Sequence, residues 1–323
     1  MRLMFVCISL LAACVDEPVR VPPFGGGPPT ERLSETGLFD GPPQLQRPAN
    51  GIVPYHVIAP LWSDGASKLR FVATTTPMTA ADDAWQVPTG TYLVKTFYFP
   101  RDQRDAAAGR HLVETRVIAF TDEGTLMSTY VWNEEQTDAM ASGGNLDISI
   151  QYVDEAGAPR HQVHHVPGTS QCNSCHAGGA LGIRTPQLDD QLDVLVASGV
   201  VDRAPVGVEP FVDPYGAAPL AARAASYLDV NCAHCHRPGG DASGTHADWR
   251  REHLLENVCR AARHDVDGHH LVIAPGKPDD SVAIIRMKSS DPFVHMPRGP
   301  SHMIDQRALA LLEDWIRALP GCP

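Results

Sequence analysis

Two copies of the pattern Cys-x-x-Cys-His lie in the second half of the chain, at residues 172–176 and 232–236. Two thiols three residues apart on a helical turn can reach the two vinyl groups on one edge of a porphyrin. The next residue then places its imidazole under the iron, which is the pattern of c-type haem attachment. The two motifs therefore predict two covalently bound haems of c type. The predicted haem-binding residues are Cys172, Cys175, His176, Cys232, Cys235 and His236, with His176 and His236 as iron ligands.

Two other uses of paired cysteines fit the spacing less well. Zinc ribbons usually place their pairs roughly 15 to 20 residues apart, whereas Cys175 and Cys232 differ by 57 in number. Redox disulfides of the thioredoxin type belong in a βαβ context, and they would leave the histidine after each second cysteine unexplained.

The N-terminus has the pattern of a bacterial export signal. Arg2 is followed by an apolar run that ends in Leu-Ala-Ala-Cys at Cys14, which resembles the recognition sequence of lipoproteins. We expect a signal peptide over 1–13, a lipidated Cys14, and a tether rich in proline and glycine over 14–32. The alternative is a plain signal peptide, in which Cys14 is not lipidated.

No later stretch reaches the roughly 18 apolar residues of a membrane-spanning helix, so we expect membrane contact through the lipid anchor only. Haem of c type is attached on the outer side of the bacterial membrane. The motifs and the leader therefore both place the protein in the periplasm or cell envelope.

Residues 33–166 have the composition of antiparallel β-structure. Runs rich in β-branched and aromatic residues alternate with turn residues, at 91–99, 111–120, 126–132 and 145–153. In the first run, Leu93 and Phe97 share one face while Tyr92 and Val94 share the other, so both faces are partly apolar. We expect a sandwich-like β domain.

Beyond residue 166 the composition favours helices, at 217–230, 250–263, 281–288 and 306–319. In the last of these, Leu309, Leu312 and Ile316 recur at helical spacing and mark one buried face. We expect a first haem-attachment segment over 167–214, followed by an all-α domain of the cytochrome c type over 215–323.

The second axial ligand of each iron decides between electron transfer and chemistry on the iron. For the second haem we expect Met296, in an irregular segment before the last helix; His295 and His302 are rivals, and a packed loop methionine is the alternative. For the first haem, His161, His164 and His165 lie too close to the attachment site to cross the ring easily. A ligand from elsewhere in the chain and an open sixth position are equally compatible with the sequence.

Two further features bear on stability and partners. Cys259 and Cys322 remain after the motifs, and in an oxidising compartment a disulfide between them is the most economical expectation, with free thiols as the alternative. The net charge of −12 makes nucleic acid an unexpected partner. We expect periplasmic redox proteins instead: other cytochromes, dehydrogenases or copper proteins.

Several longer stretches resemble a family of exported bacterial dihaem cytochromes c of largely unassigned function. The resemblance covers about residues 33–322. It is carried by stretches such as 54–55, 60–66, 68–71, 94–97, 114–116, 181–188, 224–236 and 296–297. It implies a β-rich domain, a linking CxxCH segment and a C-terminal cytochrome c domain. It assigns no chemistry to Trp62, Asp64 or Lys95, for which a structural role is the simplest expectation.

Two functions fit these observations. The first is an electron carrier with no catalysis of its own, and the second is a dihaem enzyme of the peroxidase type with an open site at the first haem. Cys172 and Cys232 are only 60 residues apart, which is short for two full haem domains. The carrier is therefore the favoured interpretation; a sensory or scaffold protein is a third.

Overall fold

The computed structural model describes residues 30–176, 180–298 and 301–322. The expected signal peptide, the lipidation residue Cys14 and most of the expected tether lie outside these ranges. Within them, no helix is both long enough and apolar enough to cross a bilayer.

The N-terminal half is built on one six-stranded antiparallel sheet whose strands are neighbours in chain order. The alternation of side chains in each strand gives it two apolar faces. A short turn at Asp122 and Glu123 joins the fourth strand to the fifth. The strands are β1 Val53–Tyr55, β2 Ser67–Ala73, β3 Thr91–Pro100, β4 Arg110–Thr121, β5 Gly124–Trp132 and β6 Ala139–Ser142.

The two faces of this sheet are covered differently. On one face, Tyr92 and Val94 pack with Leu33 and Leu38 of the N-terminal segment. On the other face, Leu93 packs against two short helices, α2 (Thr185–Leu188) and α3 (Leu192–Ala197). Further along that second face, Phe97 and Phe99 pack against a hairpin of β7 (Leu146–Val153) and β8 (Pro159–Val166).

Helix α1 (Thr169–His176) follows this hairpin and carries the first CxxCH motif. The C-terminal part contains α4 (Leu220–Cys232), α5 (Val282–Lys288) and α6 (Gln306–Ala318), with β9 (Ala261–Val266) and β10 (His269–Leu271) between α4 and α5. Its core packs α4 and α6 together through Leu228, Leu312 and Ile316. Short 3₁₀ helices occur at Leu33–Thr36, Pro43–Leu45, Ala106–Ala108, Asp189–Gln191, Ser243–Thr245, Arg251–Asn257 and Pro278–Asp280.

The predicted fold class is wrong, although the antiparallel β-structure predicted for the N-terminal half is present. The C-terminal part is not all-α, because the stretch 250–263 forms a 3₁₀ helix at Arg251–Asn257 and then enters β9. Asp267 and Gly268 both have positive φ, 51° and 82°, as a tight two-residue hairpin turn requires. In the N-terminal half, one sheet covered by helices, loops and a hairpin takes the place of the expected sandwich.

The stretch 60–66 joins the two halves. Asp64 is 2% exposed, and its carboxylate accepts hydrogen bonds from the backbone amides of His302 (2.9 Å) and Met303 (2.9 Å). The amide of Trp62 donates to Oδ1 of Asn231 at 2.7 Å, directly before Cys232. These contacts hold the end of α4 and the loop before α6 against the N-terminal half. Trp62 and Asp64 therefore have a structural role, which is to join the two halves.

Candidate functional site

The second motif lies at the end of α4, where the chain turns tightly. The amides of Cys235 and His236 both donate to the carbonyl of Cys232, at 3.2 and 2.9 Å. This turn brings the two cysteines and His236 to the wall of a cavity of about 600 Å³, which we call the second cavity. Its volume is in the range of cofactor pockets. Its apolar wall includes Leu228, Trp249, Ile284, Leu312, Trp315 and Ile316.

The ring of His236 is held in one tautomer by a hydrogen-bond chain. Its Nδ1 lies 3.1 Å from Oγ1 of Thr245, and that hydroxyl donates to the carbonyl of Ala242 at 2.7 Å. The Thr245 oxygen therefore accepts from Nδ1–H, which leaves Nε2 with its lone pair. Burial, helped by His234 and Arg286, lowers the pKa of His236 to about 4. A neutral, oriented imidazole is what an axial iron ligand requires.

Met296 also lines the second cavity. The two rival histidines lie outside this lining: Nδ1 of His295 donates to the carbonyl of Ser289 at 2.8 Å while its Nε2 is buried without a hydrogen-bond partner among the described residues, and the ring of His302 packs edge-on against His165 with centroids 5.3 Å apart. Neither lines this cavity. A second thioether, Met287, lines it as well, and sequence reasoning overlooked both Met287 and the Thr245 hydroxyl.

The first motif lies on α1, whose first turn is closed by the amides of Gln171 and Cys172 donating to the carbonyl of Gly168 (3.0 and 3.1 Å). Cys172 and His176 line a second, smaller space of about 140 Å³, which we call the first cavity. Its floor is the face of the sheet formed by β2 to β5. One further wall is formed by Val230 and His234 at the end of α4.

The three histidines upstream of the first motif lie away from both cavities. Nε2 of His164 bonds Oε1 of the fully buried Glu114 at 2.9 Å, and Nδ1 of His165 bonds Asp147 at 2.7 Å. His161 is exposed on β8. The structure thus brings none of them to the first cavity.

His234, one of the two variable residues inside the second motif, lines both cavities. Its Nδ1 is buried, and neither ring nitrogen makes a hydrogen bond among the residues that the structure describes. A buried polar atom without a partner costs about 1–3 kcal/mol and calls for an explanation at the site. The sequence pattern gave no signal for this residue, because it occupies an x position.

Cys259 and Cys322 form a disulfide with their Cα atoms 5.6 Å apart. The bridge joins the segment before β9 to the chain beyond α6. Within the described ranges, no three His, Cys, Asp or Glu side chains converge to hold a bare metal ion.

Comparison with family models, with curated proteins and with solved structures gave no match for this chain.

Proposed function

We propose that this protein is a dihaem c-type cytochrome that transfers electrons in the cell envelope. The observation that carries the proposal is that each CxxCH motif borders a cavity and that the two cavities share a wall, formed by His234. Haems in these cavities would be neighbours, so that an electron entering at one could pass to the other. Haem supplies the one-electron chemistry, and the protein sets its ligands and surroundings.

In the second cavity, Cys232 and Cys235 would attach the haem, with His236 and Met296 as axial ligands. Three features support this: the neutral tautomer of His236, the apolar wall and the thioether on the same cavity. Ligation by histidine and methionine raises the reduction potential relative to two imidazoles. Two protein ligands also leave the iron no open position, as an electron carrier requires.

Cys172 and Cys175 would attach the first haem beside the first cavity, with His176 as the proximal ligand; the cavity itself, about 140 Å³, is smaller than the roughly 300 to 1,000 Å³ of a cofactor pocket. We assign the sixth position to His234, because its imidazole lines this cavity and lacks any other partner among the described residues. The same residue belongs to the attachment turn of the second haem. The residue that would bind the first iron therefore lies between Cys232 and Cys235, the two cysteines that would attach the second haem.

The remaining expectations follow from this function. Export, lipidation at Cys14 and a location in the periplasm or cell envelope provide the compartment in which c-type haem is attached. The partners would be periplasmic cytochromes, dehydrogenases or copper proteins. The net charge of −12 favours partners with basic docking faces and a rate of encounter that falls with added salt.

Spectroelectrochemical titration of the purified full-length protein tests this function. We expect two one-electron transitions, with no reaction on adding hydrogen peroxide to the half-reduced protein. Rapid peroxide consumption with oxidation of one haem would contradict the carrier and support the peroxidase alternative instead. A variant of the exposed Lys277, Lys277→Gln, serves as a matched control for handling and folding.

A further inference from the structure

Three cationic side chains form a row across the floor of the first cavity. Arg70 on β2 pairs with Lys95 on β3, and Lys95 pairs with Arg116 on β4. Residues paired directly across antiparallel strands point to the same face of the sheet. All three line the first cavity together with Cys172 and His176. We call Arg70, Lys95 and Arg116 the cationic row.

The row has too few anions to balance it. Like charges directly opposite one another destabilise a sheet, so a compensating group is expected. Arg116 has one, because Glu114 accepts from its Nε at 2.7 Å and from its Nη2 at 2.6 Å. The side chains of Lys95 and Arg70 make no hydrogen bond or ion pair among the described residues.

The surroundings add positive charge rather than remove it. The ammonium of Lys95 and the guanidinium of Arg116 lie 5.2 and 4.5 Å from the ring centroid of Phe97, and Lys68 approaches the same ring at 5.6 Å. The carboxylate of Asp64 is occupied by the amides of His302 and Met303. The ring contacts offset part of the repulsion but supply no formal negative charge.

The state of Lys95 agrees with this imbalance. Burial, followed by Arg116 and Arg70, lowers its pKa to about 7, although Glu114 acts in the opposite direction. An unpaired charge removed from water is strongly disfavoured unless a counter-charge is present. An anion beside Lys95 would restore its ammonium form and remove the repulsion from Arg70.

We infer that the cationic row is an anion-binding site of the first cavity, which takes a carboxylate or a similar small oxyanion. Arg70 offers a planar fork that suits two oxygens, and Lys95 offers a point charge beside it. Thr129, in register with Arg116, lines the same cavity. The inference gives a role to Arg70 and to Lys95, to which the sequence resemblance assigned no chemistry.

The anion has two possible sources. If it is a carboxylate group of the first haem itself, the site rests on the proposed function. If it is a free oxyanion that enters the cavity, its binding does not depend on the proposed function. The two sources share their recognition chemistry, and they differ in their response to added anion.

The test compares the full-length protein with Lys95→Gln and Arg70→Gln, after alkaline pyridine spectra have counted the haems in each preparation. Lys277→Gln is the control, because that side chain is 71% exposed and its ion pair with Asp280 spans 3.8 Å. Lys95→Arg keeps the charge and serves as the rescue variant. For each protein, the potentials of the two haems and the thermal midpoint are measured over a series of formate concentrations at constant ionic strength.

If the haem supplies the anion, Lys95→Gln lowers the potential of one haem, Lys95→Arg restores it, and formate has no effect on the wild type. If the anion is free, formate raises the thermal midpoint of the wild type saturably, and Lys95→Gln weakens that binding at least tenfold. Variants that behave like Lys277→Gln in both measurements overturn the inference. A wild type with fewer than two haems refutes the proposed function instead, while the formate series still tests the site.

Discussion

The two cavities that carry the CxxCH motifs differ in how the chain builds them. The second cavity is enclosed by one continuous stretch, from α4 to α6, with apolar walls and a histidine held by Thr245. The first cavity is assembled from distant segments: the sheet, α1, α2 and the end of α4. Its floor carries Arg70, Lys95 and Arg116 among apolar side chains such as Leu93 and Ile118. Local sequence thus forms the second cavity, and tertiary contacts form the first.

This difference predicts unequal dependence on haem. A haem in the second cavity would complete the core of the C-terminal part, whereas a haem at the first would lie at a junction between elements that are packed elsewhere. We therefore expect loss of the second haem to affect folding and loss of the first to affect mainly redox behaviour.

The largest effect is expected from Cys232→Ser combined with Cys235→Ser. Without haem, the second cavity of about 600 Å³ would lose the apolar contacts that the haem supplies; the loss of large core groups costs about 5 kcal/mol, a large fraction of the stability of a domain. The C-terminal part should become sensitive to proteases. Cys172→Ser with Cys175→Ser is the matched control and should retain protease resistance there. Equal resistance of the two double variants would contradict the comparison.

The disulfide provides the next test, because it joins two segments of the C-terminal part. Cys259→Ser with Cys322→Ser should lower the free energy of unfolding by about 4 kcal/mol, from the loop entropy that the bridge removes in the unfolded chain. Chemical denaturation followed by absorbance of the second haem measures this. Unchanged denaturation would mean that the bridge does not stabilise that part.

A pH test acts on the N-terminal sheet rather than on the C-terminal part. Burial would raise the pKa of Glu114, but Arg116 and a hydrogen bond from His164 outweigh it and lower the pKa to about 2. The folded pKa lies below the unfolded one. The contribution, about 3 kcal/mol, is therefore present above pH 4.5 and is lost as pH falls toward 2. Acid titration of unfolding should show this loss in the wild type and a flatter profile in Glu114→Gln; parallel profiles would refute it.

A smaller change in stability but a clear spectral change is expected at the shared wall. In His234→Ala, the first haem should gain an open coordination position and bind carbon monoxide when reduced, while the second haem should not. The wild type should bind none. Carbon monoxide spectra that are identical in the two proteins would show that His234 does not bind the first iron.

The smallest effect on folding is expected from Met296→Leu, which conserves volume and should cost less than about 1.5 kcal/mol. It should abolish the weak absorbance near the red end of the oxidised spectrum and lower one potential. Met287→Leu, in the same cavity, is the control. Loss of that absorbance in Met287→Leu and its persistence in Met296→Leu would exchange the roles of the two methionines.

The sequence predicted what depends on local spacing. The cysteines and histidine of each motif lie within a few residues of one another, and the strands β3 to β5 follow from runs of β-branched and aromatic residues between turns. The cationic row could not be predicted, because it depends on the register that places Arg70, Lys95 and Arg116 opposite one another.

Other features were missed for identifiable reasons. The hairpin of β9 and β10 was not predicted, although Asp267-Gly268 is a strong turn signal; the helix predicted over 250–263 includes the first residues of β9. His234 and Thr245 could not be recognised, since one occupies a variable position and the other acts through a tertiary hydrogen bond.

The most direct test of the central claim is the number of haems per chain in the full-length protein matured in a host that attaches c-type haem. Alkaline pyridine spectra, combined with a protein mass measurement, give this number. The account predicts two covalently bound haems per chain and one in each double cysteine variant that still folds. One haem or none in the wild type would contradict it.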